Sequence, residues 1–191
     1  MIALHVIALL FVAPSALKCS TPATQMPGYE WRQPVILVDG VILPPDAKGI
    51  DVQPEDIASI RITCWDPATN SFELNGIPVI RIDTKALIEA TQAPLLQLIR
   101  AQEEFRSRHQ RHATDLKSLE AFGLATDVDL EFEASESHWN ASTPSGAVAY
   151  RCSGNEASAG MIGEDGKPKL QCAPVDTLAL RSLRARYDAG S

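Results

Sequence analysis

Apolar and polar positions along this chain fall into three kinds of pattern, and each predicts a different element. The unbroken run Val35-Ile36-Leu37-Val38 stops at Asp39-Gly40, a strong hairpin signal, and Val41-Ile42-Leu43 carries the strand material on until Pro44-Pro45. Alternation comes next. Residues 59–65 put Ile60, Ile62 and Cys64 on one strand face, residues 77–83 alternate as a third strand, and residues 128–133 alternate as a half-buried one. Residues 139–142 and 147–152 supply two more strands, and Asp165-Gly166 turns the chain before Leu170-Gln171-Cys172. Helical spacing is the third pattern. Leu87, Leu95, Leu98, Ala101 and Phe105 form a stripe through residues 86–110, so that a helix either starts at Pro94 or is kinked there. Its far end carries Arg106, Arg108, His109, Arg111 and His112, cations that suit a helix C-terminus. Pro54 with Glu55 and Asp56 opens a short helix, and Thr114 is placed to cap a helix over 115–122 that Gly123 ends. In the last 16 residues Leu180, Leu183 and Tyr187 share a helical face with Arg181, Arg184 and Arg186 around it.

The start of the chain bears on its compartment. Residues 2–13 are apolar except for His5, and residues 1–17 hold no charged side chain. A run of about a dozen apolar residues followed by small ones suits a signal peptide, and is short for a spanning helix. Cleavage after Ala16 or Ala23, lipidation at Cys19, retention as an uncleaved anchor, or a buried cytosolic helix all stay open. Lys18 occupies the place where a lipobox has a small residue. Residues 1–20 are thus read as signal peptide or N-terminal membrane anchor, and residues 21–33, with Pro22, Pro27 and Gly28, as a linker.

Four cysteines occur, with no C-x-x-C, which sets aside zinc-ribbon and thioredoxin spacings. Cys152 and Cys172 flank a segment containing Gly154, Gly160, Gly163 and Gly166; a disulfide at its base would remove roughly 3 kcal/mol of chain entropy from the unfolded state. Cys64, on its strand face, reads as a buried, unpaired core residue.

With 191 residues, 45% of them hydrophobic and 21% charged, the chain has material for one domain or two small ones. A net charge of −7 argues against a general affinity for nucleic acid, and 6% aromatics argue against stacking platforms for bases or sugars.

Val38-Asp39-Gly40, then Pro54-Glu55-Asp56-Ile57-Ala58-Ser59-Ile60-Arg61-Ile62, then Gly76-Ile77-Pro78-Val79-Ile80-Arg81-Ile82-Asp83-Thr84-Lys85 together resemble the plug domain of TonB-dependent outer-membrane receptors. The resemblance implies a β-α-β-β unit over residues 34–85. The family's glycine- and alanine-rich loop is replaced by residues 65–75, and no β-barrel follows, which implies a plug fold used for binding rather than for closing a barrel.

Residues 86–175 resemble the head domain of type IV pilins and pseudopilins. The run from Ala101-Gln102-Glu103 through Leu116 to Leu119 is similar to the pilin helix pattern, with Phe105 and His112 at its two tyrosine positions and Gln110 where glycine is common. Trp139-Asn140-Ala141 matches the family's Trp-x-Ala strand, and Cys152 with Cys172 matches its terminal disulfide. A pilin has a long apolar helix in front of its head, and here the plug-like unit stands there instead. The resemblance therefore implies the head fold without polymerisation through that helix.

Chemistry converges nowhere along the sequence. No G-x-S-x-G elbow occurs, and Gly163-Glu164-Asp165-Gly166-Lys167-Pro168 is a turn rather than a phosphate loop. His109 and His112 have spacing for a metal, but the arginines around them favour a solvated basic helix end. Glu131, Glu133 and Glu136 read as the wet face of a strand. The expected fold class is α+β in two small modules, a plug-like β-α-β-β unit and a pilin-head-like helix with an antiparallel sheet, followed by an amphipathic tail over residues 176–191. The expected protein is a non-enzymatic, periplasmic, membrane-associated subunit without cofactor or metal, bracing a multi-subunit inner-membrane complex of secretion, pilus, respiratory or photosynthetic type. A minor pilin-like or receptor-associated envelope component and a hydrolase with a non-standard site are the alternatives. Partner anchors are expected at Trp65 and Phe72, in the replaced loop, and at Arg181, Leu183, Arg184 and Tyr187 of the tail, since aromatic and arginine side chains dominate binding energy. The tail would dock on a protein partner, touch a membrane surface, or pack on its own domain.

Overall fold

A computed structural model of the chain describes Cys19 and residues 34–44, 47, 49–73, 76–144 and 150–189. Apart from Cys19, the segment over residues 1–20 and all of the linker over residues 21–33 lie outside the described residues. The fold is α+β, with a five-stranded and a four-stranded sheet. It divides into two compact units, Met1–Ala86 together with Asp176–Ser191, and Leu87–Val175.

In the first unit, β1 (Val35–Val38) and β2 (Val41–Ile42) form a hairpin with Val38 opposite Val41. Asp39 and Gly40 both have positive φ, 50° and 79°, the geometry of a two-residue turn that matches strand twist. The Asp39 carboxylate then accepts hydrogen bonds from the Thr84 amide and hydroxyl, both at 2.8 Å, so the turn is tied to the end of a distant strand. A single 3-10 turn, Pro54–Asp56, leads into β3 (Ile57–Asp66), and β4 (Ser71–Glu73) folds back on it. β5 (Ile77–Thr84) lies at the centre, parallel to β1 and antiparallel to β3, giving the order β2-β1-β5-β3-β4.

One face of this sheet carries Val35, Leu37, Trp65, Ile77 and Val79, and it is covered by the C-terminal helix. Four contacts fix Trp65 in that core. Gly76 has φ of 127°, and a Cβ there would come within 2.1 Å of the Trp65 carbonyl oxygen, so no other residue fits. The indole N–H of Trp65 donates to Asn70 Oδ1 at 3.1 Å, Phe72 stands opposite it on β4, and Tyr187 meets its ring edge-on at 5.7 Å. Arg81 is buried on this face, where its guanidinium bonds Asp176 and lies 5.1 Å from the Phe72 ring centre.

In the second unit, α1 (Lys85–His109) runs as one helix through Pro94, so the helix neither starts nor ends at the proline. Its buried Leu95, Leu98, Ile99, Ala101 and Phe105 pack on Trp139, Ala141 and Cys152 of an antiparallel sheet. The helix ends at Gln110, whose φ is 56°, at the position where the resemblance has glycine. Gln102 is 1% exposed, and its amide exchanges two hydrogen bonds with the Ala113 backbone, at 2.9 and 3.0 Å. A buried side chain therefore satisfies a backbone that no helix or sheet could. α2 is only Lys117–Glu120, shorter than the expected 115–122, and Asp115 rather than Thr114 accepts hydrogen bonds from the Ser118 amide and hydroxyl. The Asp115 carboxyl is held below its usual range by those two bonds.

The sheet of this unit is β6 (Glu131–Ala134), β7 (Trp139–Ser142), β8 (Tyr150–Asn155) and β9 (Gln171–Pro174), in that order. Between β8 and β9 lies α3 (Glu156–Gly160), an element the sequence reading missed. Asn155 and Ser158 form a reciprocal capping box, and that Asn-x-x-Ser spacing is a detectable signal. The last element, α4 (Asp176–Ala189), belongs to the first unit: it is not a separate tail, because Ala179 and Leu183 have no exposed surface.

Cys152 and Cys172 are direct cross-strand neighbours and form a disulfide. Cys64 is not an unpaired core thiol. It is half-buried and bonded to Cys19, 45 residues earlier in the chain. Strand alternation correctly gave Cys64 its face, but alternation carries no information about a partner so far away. Peptide mapping of unreduced protein should recover Cys19 linked to Cys64 and Cys152 linked to Cys172; any crossed pairing would contradict the division into two separately stapled units.

Candidate binding groove on the second sheet

Strand register decides what the solvent-facing side of the second sheet presents. Trp139, Ala141 and Cys152 point into the core, so their neighbours in sequence point out. Glu131 pairs with Ser142, Ser142 with Ser153, and Ser153 with Gln171, which lines up four polar side chains in one row across all four strands. Glu133, Asn140 and Asn155 form a second row in the same way. These rows floor an open groove of about 750 Å³, with Met161, Lys169 and Leu170 along its margin.

Arg151 organises the floor. Its guanidinium bonds the Glu131 carboxylate and donates to the Ser142 hydroxyl at 2.7 Å, while that hydroxyl donates to Glu131 at 2.9 Å. All three side chains are partly exposed, so the triad is a wetted network whose ion pair contributes little to stability. What it offers is direction: donors and acceptors are held at fixed places, while Glu133 and Lys169 bring opposite charges to the same groove. Such a surface offers hydrogen-bond donors and acceptors to the solvent side of the sheet. The Ser142 hydroxyl is bonded to a carboxylate and an arginine rather than to an imidazole.

A serine and a histidine do meet elsewhere. The Ser135 hydroxyl lies 2.7 Å from His138 Nδ1, but it also takes the His138 and Ser137 amides, and these bonds close the exposed turn between β6 and β7. His112, read as part of a solvated basic helix end, is instead 4% exposed, with Nε2 3.0 Å from Glu156 Oε1. His109 remains exposed and stacks near Phe105 and Phe122.

The residues expected to anchor a partner all lie in the first unit, and most serve its interior. Trp65 and Leu183 are fully buried, and so have no surface to present. Phe72 and Tyr187 are half-buried against the same core. Arg184 bonds the Pro67 carbonyl at 3.0 Å and Asp188 at 3.1 Å, and Arg181 is exposed. Burial on the chain's own sheet is the competing reading that the sequence left open for the tail. The groove residues went unselected because a row across a sheet appears only when the register of four strands is known. No protein-family model, curated protein or solved structure matches the chain.

The hydrogen bond from His112 holds the Glu156 carboxyl below its ordinary value of 4.5, with the His112 and Arg106 charges adding to the effect. A lowered folded-state value means a contribution present above pH 4.5 and lost as pH falls through the folded value. Glu156→Gln should therefore show a smaller loss of stability than wild type between neutral pH and pH below 4.5, measured by urea unfolding. Equal losses in both proteins would remove Glu156 from the acid response.

Proposed function

We propose that this protein is a non-enzymatic, extracytoplasmic subunit that braces a membrane-associated envelope complex by binding a polar segment of another protein. The observation that carries this reading is the groove on the second sheet, with its register-aligned rows of hydrogen-bonding side chains. Three spacings between four strands make the floor about 14 Å across, wide enough for an extended polypeptide and its side chains. Its polar, partly charged floor suits the rim-like, water-rich chemistry of a subunit contact rather than an apolar ligand cavity.

The two disulfides support an oxidising compartment, where such bonds persist. The apolar run at residues 2–13 supports export or anchorage. In this reading the periplasmic face of an inner-membrane assembly supplies the partner, the first unit is a plug-like spacer, and the second is a pilin-head-like binding module. Among the described residues, no helix is long and apolar enough to cross a membrane.

Arg151→Glu places a like charge beside Glu131 and breaks the organised floor without touching the core. Affinity purification from native membranes should recover a defined envelope protein with wild type, and at least about tenfold less of it with Arg151→Glu, the loss expected when a charge pair at an interface is reversed. Recovery of the same protein at wild-type yield by the variant would overturn the groove as the binding site.

A further inference from the structure

We propose that the outer edge of β3 pairs antiparallel with the same edge of a second copy of this chain, centred on Ile60. β4 is too short to cover its neighbour: it pairs with Cys64, Trp65 and Asp66 alone. Among the described residues, no strand lies on the outer side of residues 57–63, although β5 pairs along their inner side. Open edges are normally blunted by lysine, proline or a covering element. Residues 57–63 contain neither lysine nor proline, and they present Ile60 at 41% and Ile62 at 50% exposure. Both isoleucines flank Ile80 and Ile82 on β5, so they form the open margin of an aliphatic sheet face.

The occupant follows from the register. Antiparallel pairing about Ile60 sets Ile60 against its own mate, which extends the aliphatic margin across the junction, and brings Ile62 opposite Ala58, at the irregularity of β3 between Ile57 and Ser59. On the opposite face it sets Arg61 against Ser59, and the Arg61 charge is already met by Asp83 at 2.9 Å. Moving the centre to Arg61 would place two guanidiniums directly across from each other, an unfavourable pair. A shift by a single residue would mix the two faces. The edge is thus self-complementary about Ile60, and a two-fold axis there closes the assembly as a dimer whose sheet runs from β2, β1, β5 and β3 into the mate's β3, β5, β1 and β2, with each short β4 beside the junction. The groove lies on the other sheet.

The test is sedimentation of the full chain over a concentration series, with variants Ile60→Lys, Ile60→Cys and Ile62→Cys. Wild type should show a reversible monomer–dimer equilibrium. Ile60→Lys, with an unchanged circular dichroism spectrum, should weaken it by about tenfold or more, because two like charges would then stand opposite each other. On mild oxidation Ile60→Cys should form a covalent dimer, since each new thiol faces its mate, while Ile62→Cys, facing Ala58, should not. The cysteine pair decides the matter should the lysine variant fold poorly. A wild type monomeric throughout, an undiminished Ile60→Lys dimer, or equal cross-linking by both cysteine variants would each overturn the proposal. So would β3 amides protected from hydrogen exchange in a monomer, which would place another segment of the same chain on that edge.

Discussion

The packing of α4 onto the first sheet is the contact from which the rest of the organisation follows. Strands drawn from residues 35–84 have one apolar face centred on Trp65, and the helix that covers it comes from residues 176–189. The sheet cannot bury that face until the whole intervening chain has returned. Burying Leu183 contributes about 2 kcal/mol by the usual area argument, and Ala179, Leu180 and Tyr187 add to it. The Arg81–Asp176 pair sets where the helix begins, since a buried guanidinium left without its carboxylate would be costly. Residues 87–175 are consequently an insertion, with both of their ends fixed to elements of the first unit.

Each unit then exposes a sheet surface with its own chemistry. The second presents rows of serine, asparagine, glutamine and glutamate organised by Arg151; the first presents an aliphatic strand edge at Ile60 and Ile62. Neither surface is made by the loops alone. Both depend on register, which the Cys152–Cys172 disulfide ties directly across β8 and β9. A strand register held by a covalent bond is stiff.

Much of the architecture was legible because local patterns act locally. The Asp39-Gly40 turn, the strand over Ile77–Thr84 and the stripe through Leu95, Leu98 and Phe105 all follow from spacing that the backbone period enforces. Apart from the short α3, whose capping box is a local signal, what escaped depended on distance. Cys19 lies 45 residues from Cys64, and no local pattern links them. Trp65, Leu183 and Tyr187 looked like anchors for a partner because each is large, amphipathic or isolated in sequence. They are in fact each other's partners, joined across more than a hundred residues. Packing on their own domain was the alternative the sequence left open, and Trp65 and Leu183 lie fully buried in that core. The groove was hidden for a related reason: Glu131, Ser142, Ser153 and Gln171 are unremarkable singly and become a site only when four strands align them.

The central claim is that α4 completes the first unit and leaves the second to stand by itself. Native-state hydrogen exchange of Leu183→Ala against wild type tests it most directly. A cavity at a fully buried leucine costs about 2–5 kcal/mol, so amides of β1, β3 and β5 should exchange about 30-fold faster or more. Amides of α1 beyond Leu95 and of β7 and β8 should keep their wild-type rates. Equal acceleration throughout both sheets would mean a single cooperative block, and would contradict the account.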